Sequence, residues 1–135
     1  MKYIDMQKTN FNLVQDFHRK FLVPTNDLAS NVEDSILQLR ISLITEEFKE
    51  LIDEMSWLAN SQESLSRVAK EMADLLYVIY GTADQMGIDI DRVFEEVHQS
   101  NMSKSLDARR DDGKVLKGEH YRPADVKSVL QFADD

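Results

Sequence analysis

This sequence predicts an all-α fold, an antiparallel helical bundle, and three observations carry that expectation. Apolar residues recur at intervals of three and four along most of its 135 residues. Only four glycines and two prolines interrupt them, too few for the turns of a β-sandwich or barrel. Cysteine is absent, which removes disulfides, Cys zinc sites and Cys nucleophiles from consideration.

The first predicted helix covers Asn10–Phe21, with Phe11, Val14, Phe17 and Phe21 on one face. Pro24 and the Asn26-Asp27 pair break the pattern. A long helix follows over Val32–Leu58, in which Leu37, Ile41, Ile44, Phe48, Leu51 and Met55 recur at alternating steps of four and three, the seam of a packed helix pair. The next helix begins near Asn60–Ser61, with Asn60 and Glu63 spaced as a cap. It carries the stripe Leu65, Val68, Met72, Leu75, Ile79, Ala83 and Met86 and stops at Gly87. Asp89 caps a shorter helix through Ile90, Val93, Phe94 and Val97 to about Asn101. Residues 104–122 read as a long flexible loop, and Pro123 opens a last short helix through Val126, Val129 and Leu130. Without an internal repeat or linker, residues 1–135 are expected to form one domain with a four-helix core.

The formal net charge of −9 argues against a protein that coats a nucleic-acid polymer, whose affinity rests on many cations. The longest apolar run, Leu75–Gly81, is too short to span a bilayer. The opening MKYIDMQKTN lacks the apolar centre of a signal peptide. The expectation is a soluble cytoplasmic domain.

A second line on the long helix changes character halfway. Ile36, Leu39 and Leu43 are followed by Glu47, Glu50 and Glu54, with Glu46 beside them. The next helix offers Glu71 and Asp74 three residues apart. In an antiparallel hairpin, facing residues have a constant sum of numbers. Glu50 with Glu71 and Glu47 with Asp74 share the sum 121, which centres the turn between Asn60 and Ser61. Singly, acidic residues on a helix are most often a solvated face. Four or five carboxylates meeting at one height without matching cations instead call for protons or a metal ion. Hard oxygen ligands favour Mg²⁺, with Mn²⁺ as a substitute. A di-iron bundle needs two Glu-x-x-His pairs, and only Glu95/His98 has that spacing. His18 reads as a satisfied helix-edge residue because no second ligand lies at metal spacing.

Within 104–122, six Lys/Arg stand against four Asp/Glu, a positive segment on an otherwise acidic chain. Such a segment suits a phosphorylated small molecule, held by metal on one side and Lys/Arg on the other. An equally good account is a solvated basic tail.

EEFKE at 46–50, EMAD at 71–74 and ADLLYVIYGTADQMGIDIDRVFEEVHQSNMSK at 73–104 resemble the all-α nucleoside triphosphate pyrophosphohydrolases. That superfamily includes MazG, the dimeric dUTPases and phosphoribosyl-ATP pyrophosphohydrolase. FHRKF at 17–21 and the closing stretch 109–126 resemble the small MazG-like branch related to dimeric dUTPases. The resemblance implies a MazG-like four-helix core and Mg²⁺-dependent cleavage between the α- and β-phosphates of a nucleoside triphosphate. Glu47, Glu50, Glu71 and Asp74 would hold metal, with Glu46 placed for a second ion, and Glu47 would orient or deprotonate the attacking water. Asn101 and Lys104 match the nucleotide-contacting segment. Arg109, Arg110, Lys114, Tyr121 and Arg122 are expected to close over the phosphates, and Arg40 to contact phosphate or pair with a carboxylate. The resemblance also implies a homo-oligomer, dimer or tetramer. dUTP is the leading substrate expectation within a house-cleaning role. The alternatives are phosphoribosyl-ATP and a non-catalytic helical dimer that binds nucleotide or a partner helix.

Overall fold

A computed structural model describes residues 7–133. Residues 1–6, on which the reading of the N-terminus partly rests, and 134–135 lie outside the described residues. Five helices follow in order: α1 (Asn10–Lys20), α2 (Asp34–Ser56), α3 (Gln62–Gln85), α4 (Ile90–Met102) and α5 (Val126–Val129). The described residues contain no extended strand, only isolated bridges between Ala29 and Phe132 and between Arg109 and Val115. No helix among them is long and apolar enough to cross a membrane.

Four of the five described helices start where a side chain satisfies a free amide; α2, which follows Glu33, has no side-chain cap. Thr9 and Asn12 form a reciprocal capping box at α1. Ser61, not Asn60, caps α3 by accepting from the Ser64 amide, because its extended backbone aims the hydroxyl at that N–H. Asp89 caps α4 as the sequence predicts. The last helix does not open at Pro123. Asp125 accepts from both the amide and the hydroxyl of Ser128, so α5 begins just after it. Gly87, at φ 68°, closes α3, and a Cβ there would lie 2.0 Å from the Leu28 carbonyl oxygen.

α2 and α3 form the central antiparallel hairpin, and α1 packs against α3. The α2–α3 contact line runs through Ile36, Arg40, Leu43, Glu47, Glu50 and Glu54, and its register is fixed by particular pairs. Glu54 accepts from Arg67 Nε at 3.1 Å. Arg40 lies over Gly81, where a Cβ would come within 2.6 Å of Nη2. Both pairs share the sum 121 expected for the acidic residues. Arg40, not Leu39, occupies the line; Leu39 is 53% exposed.

The predicted seam is only partly the contact used inside the chain, where Ile44 and Leu51 are half-buried. Leu37, Ile41, Phe48 and Met55 are 38%, 48%, 53% and 48% exposed. Each directly follows a contact residue, so it turns about 100° away from α3. The buried apolar residues are Phe11, Val14, Val68 and Ala83 on α1 and α3, and Ala29 in the connection before α2, where it pairs with the segment around Phe132. Each larger one, such as Val14, contributes about 1.5–3 kcal/mol relative to exposure.

Residues 104–122 are more ordered than a flexible loop. The Arg110 amide donates to the Lys114 carbonyl and the Leu116 amide to the Ala108 carbonyl, with Gly113 at φ 91° in the turn. The segment is strapped to α4: the Arg122 amide donates to Ser103 Oγ, and Glu96 accepts from Arg122 Nη1 and from the Asp125 amide.

Candidate active site

The sequence places five carboxylates near one height of the α2–α3 hairpin, and the structure groups four of them. One oxygen each from Glu47, Glu50, Glu71 and Asp74 lies within 4.8 Å of the others. Helix geometry accounts for the set. Residues three apart on each helix straddle the contact line, and the hairpin register brings the two pairs to the same level. Glu46 is exposed and lies outside the group, because the contact line bisects Glu47 and Glu50 and leaves it on the outer flank. Glu54, one turn nearer the hairpin tip, is paired with Arg67.

The electrostatics of the group are unbalanced. Glu47 Oε2 and Glu71 Oε2 are both buried without a hydrogen-bond partner. Loss of solvent pushes the Glu71 carboxyl above its ordinary range, and a hydrogen bond with Glu50 adds to the rise. One ammonium answers the four acids: Lys70 Nζ lies 2.5 Å from Asp74 Oδ2 and 3.7 Å from Glu71 Oε1. The hydrogen bond to Asp74 raises the Lys70 pKa. The acids thus meet without a matching set of cations, Lys70 alone standing at their height. The signal was present in the i, i+4 spacing of Lys70 and Asp74, which lets the long side chain fold along the helix. Lys70 is still 68% exposed and reaches the group from its rim, leaving the inner oxygens of Glu47 and Glu71 unanswered. Converging hard oxygens with unsatisfied buried lone pairs fit a divalent cation.

The remaining predicted residues lie elsewhere. Arg40 is buried, about two turns from Glu47 towards the open end of the hairpin. In place of the phosphate or carboxylate contact expected of it, its guanidinium donates to Thr82 Oγ1, Gln85 Oε1 and the Val78 carbonyl. Burial lowers its pKa. Two of the loop cations are paired with neighbouring acids: Arg110 with Asp112, and Arg122 with Glu96. Tyr121 accepts from Ser100 Oγ and stacks beneath Lys117 Nζ. Asn101 is exposed in the last turn of α4, where its carbonyl accepts from the Lys104 amide. Lys104, Arg109 and Lys114 form no ion pair among the described residues. Nor does any of these loop side chains hydrogen-bond to the acidic group.

His18 is buried and hydrogen-bonds through Nδ1 to Asp84 Oδ2 at 2.8 Å, the satisfied residue that the sequence suggests.

Comparison with known proteins gives this arrangement a family. The family described as phosphoribosyl-ATP pyrophosphohydrolase matches residues 14–101, which include both acidic motifs. The chain is also 32% identical over 87 residues to the "Uncharacterized protein L479" of Acanthamoeba polyphaga mimivirus, a match covering 62% of this chain and 33% of that protein. It thus spans about a third of the length of that curated relative. With a family match across well over half of its length, the chain belongs to the phosphoribosyl-ATP pyrophosphohydrolase family, within the MazG-like all-α nucleoside triphosphate pyrophosphohydrolases.

Proposed function

We propose that this protein is a magnesium-dependent nucleotide pyrophosphohydrolase that opens the bond between the α- and β-phosphates of a nucleoside triphosphate, giving pyrophosphate and the monophosphate. The observation that carries this reading is the convergence of four carboxylate oxygens within 4.8 Å of one another, two of the four residues each keeping a buried, unpartnered oxygen. Glu47, Glu50, Glu71 and Asp74 would hold the ion, and Mn²⁺ would substitute. When bound, such an ion supplies charge neutralisation for the phosphates and a water of lowered pKa.

The chain's own side chains do the rest. Glu47, whose buried Oε2 has no hydrogen-bond partner, would orient the attacking water and take its proton as the water oxygen bonds to the α-phosphorus and pyrophosphate leaves. Lys70 anchors Asp74 and fixes the carboxylate geometry. Asn101, Lys104, Arg109 and Lys114 are the loop groups available to the phosphates. Arg110, Tyr121 and Arg122 would first have to give up their present partners. The working unit is a homo-oligomer, as the resemblance implies.

Two substrates carry separate support. The family match favours phosphoribosyl-ATP, and the segments 17–21 and 109–126 favour dUTP or another pyrimidine or non-canonical deoxynucleotide, in a house-cleaning role. Pyrophosphate release from phosphoribosyl-ATP, dUTP and dCTP separates them. In Glu50→Gln and Asp74→Asn, turnover is expected to fall more than about 100-fold, beyond the usual cost of losing an outer-shell partner, while helicity is retained. Undiminished turnover in either variant, or stepwise release of orthophosphate, overturns the reading. Stabilisation by nucleotide without any turnover identifies a binder instead.

A further inference from the structure

Lys70 is the one cation among the described residues that touches the acidic group, and helix stability does not account for its place. Nζ lies 2.5 Å from Asp74 Oδ2 and 3.7 Å from Glu71 Oε1, so two of the four carboxylates share it. Within α3 the lysine precedes Asp74 by four residues. That is the less supportive order for a helix, because the dipole favours the acid nearer the N-terminus. The other cations of the hairpin are committed elsewhere or face away. Arg67 donates to Glu54, and Arg40 to Thr82, Gln85 and Val78. Lys49 is exposed on the side of α2 turned away from α3.

Lys70 also reaches its acids from water. Its side chain is 68% exposed, against 14% for Glu71 and 33% for Asp74. A divalent cation drawn to the four oxygens needs the charge of the same two acids and is repelled by an ammonium a few ångström away. The lysine can yield. An exposed ion pair is weak, and a flexible stem withdrawn into solvent regains its rotamer freedom. We propose that Lys70 is a tethered rival of the metal ion, holding Asp74 and Glu71 until a divalent cation displaces it from them. Its anchoring of Asp74 then belongs to the chain before metal binds. Until that exchange the ammonium relieves part of the repulsion among the acids, and it raises the metal concentration at which the site fills. The inference rests on the reading of the four acids as a metal site, and it concerns affinity rather than turnover.

Manganese binding to the full, chelator-treated chain tests the exchange, followed without nucleotide by the electron paramagnetic resonance signal of the free ion. Lys70→Gln is expected to bind Mn²⁺ about three- to ten-fold more tightly than the wild-type chain, the effect of removing one partly screened charge. Before metal is added the same variant is expected to melt at a lower temperature, and magnesium to raise that temperature by more than in the wild type. Lys70→Arg keeps the charge and is expected to stay near the wild type in both measurements. Lys49→Gln removes an equal charge from the outer side of α2 and is expected to leave Mn²⁺ affinity within about two-fold of the wild type. Lys70→Met, of similar length, gives the same measurement if the Lys70→Gln chain does not fold. Mn²⁺ binding that is unchanged or weaker in Lys70→Gln overturns the proposal while leaving the metal site in place. Equal tightening in Lys49→Gln also overturns it, because net charge alone would then explain the gain. A wild-type chain that binds no Mn²⁺ removes the metal reading itself, and the proposal with it.

Discussion

Gly81 shows how tightly a single position can be held. Arg40 fills the space above it with three hydrogen bonds, and His18 Cε1 lies 3.3 Å from where a Cβ would be. In Gly81→Ala, the gain in helix propensity is about 1 kcal/mol. Overpacking of a filled site costs about 1–3 kcal/mol, and the guanidinium cannot swing away without releasing its partners. Net destabilisation is expected, read as a lower midpoint in urea with an unchanged slope. The partners of Arg40 in the folded chain are Thr82, Gln85 and Val78, none of them a carboxylate. An arginine two turns from a row of glutamates looks like their counter-ion, yet the nearest acceptors in the folded chain are on α3. Lys70 is the opposite case. Its i, i+4 relation to Asp74 is a local property and was readable, but which acids stand beside it depends on α2.

At the scale of elements, the closing segment depends on one carboxylate. Glu96 accepts from the Asp125 amide and the Arg122 guanidinium, and these donors hold its pKa below the ordinary glutamate value of 4.5. Asp125 is held low as well, chiefly by the Ser128 hydroxyl. A depressed carboxyl contributes stability that is fully present above its unfolded pKa and is lost as pH falls through the lower folded value. Hydrogen-exchange protection over residues 122–130, corrected for the intrinsic rate, is therefore expected to hold from neutrality down to the ordinary carboxylate range and to fall below it. Glu96→Gln should lose part of that protection at neutral pH. Protection that survives strong acid in the wild-type chain would show that the strap is held by something else. The order in 104–122 was hidden from periodicity because the segment closes by turns and backbone pairs, Arg110 with Lys114 and Ala108 with Leu116, rather than by a repeating apolar face.

For the whole molecule, the acidic group is a site of stored repulsion that a cation would relieve. Magnesium is expected to raise the melting temperature, and a site filled at a hundred times its Kd adds about 2.7 kcal/mol. Glu71→Gln should remove that increment. A wild-type chain whose melting does not respond to either magnesium or manganese would argue against the metal site.

The amino-acid sequence by itself determined where the helices run, which residues share a face, and the register that brings Glu47, Glu50, Glu71 and Asp74 to one level. Those properties follow from the fixed 100° turn and 1.5 Å rise of a helix, so they are written in spacing alone. Only the tertiary structure decided which of two adjacent lines on α2 meets α3. The sequence offers both lines, and the folded chain turns the one through Arg40 and the glutamates to α3, leaving Leu37, Ile41, Phe48 and Met55 exposed and Ile44 and Leu51 half-buried. That choice depends on what each line finds on the facing helix: Gly81, the Val78 carbonyl, Arg67 and the acids of α3. No periodicity within one helix contains that information.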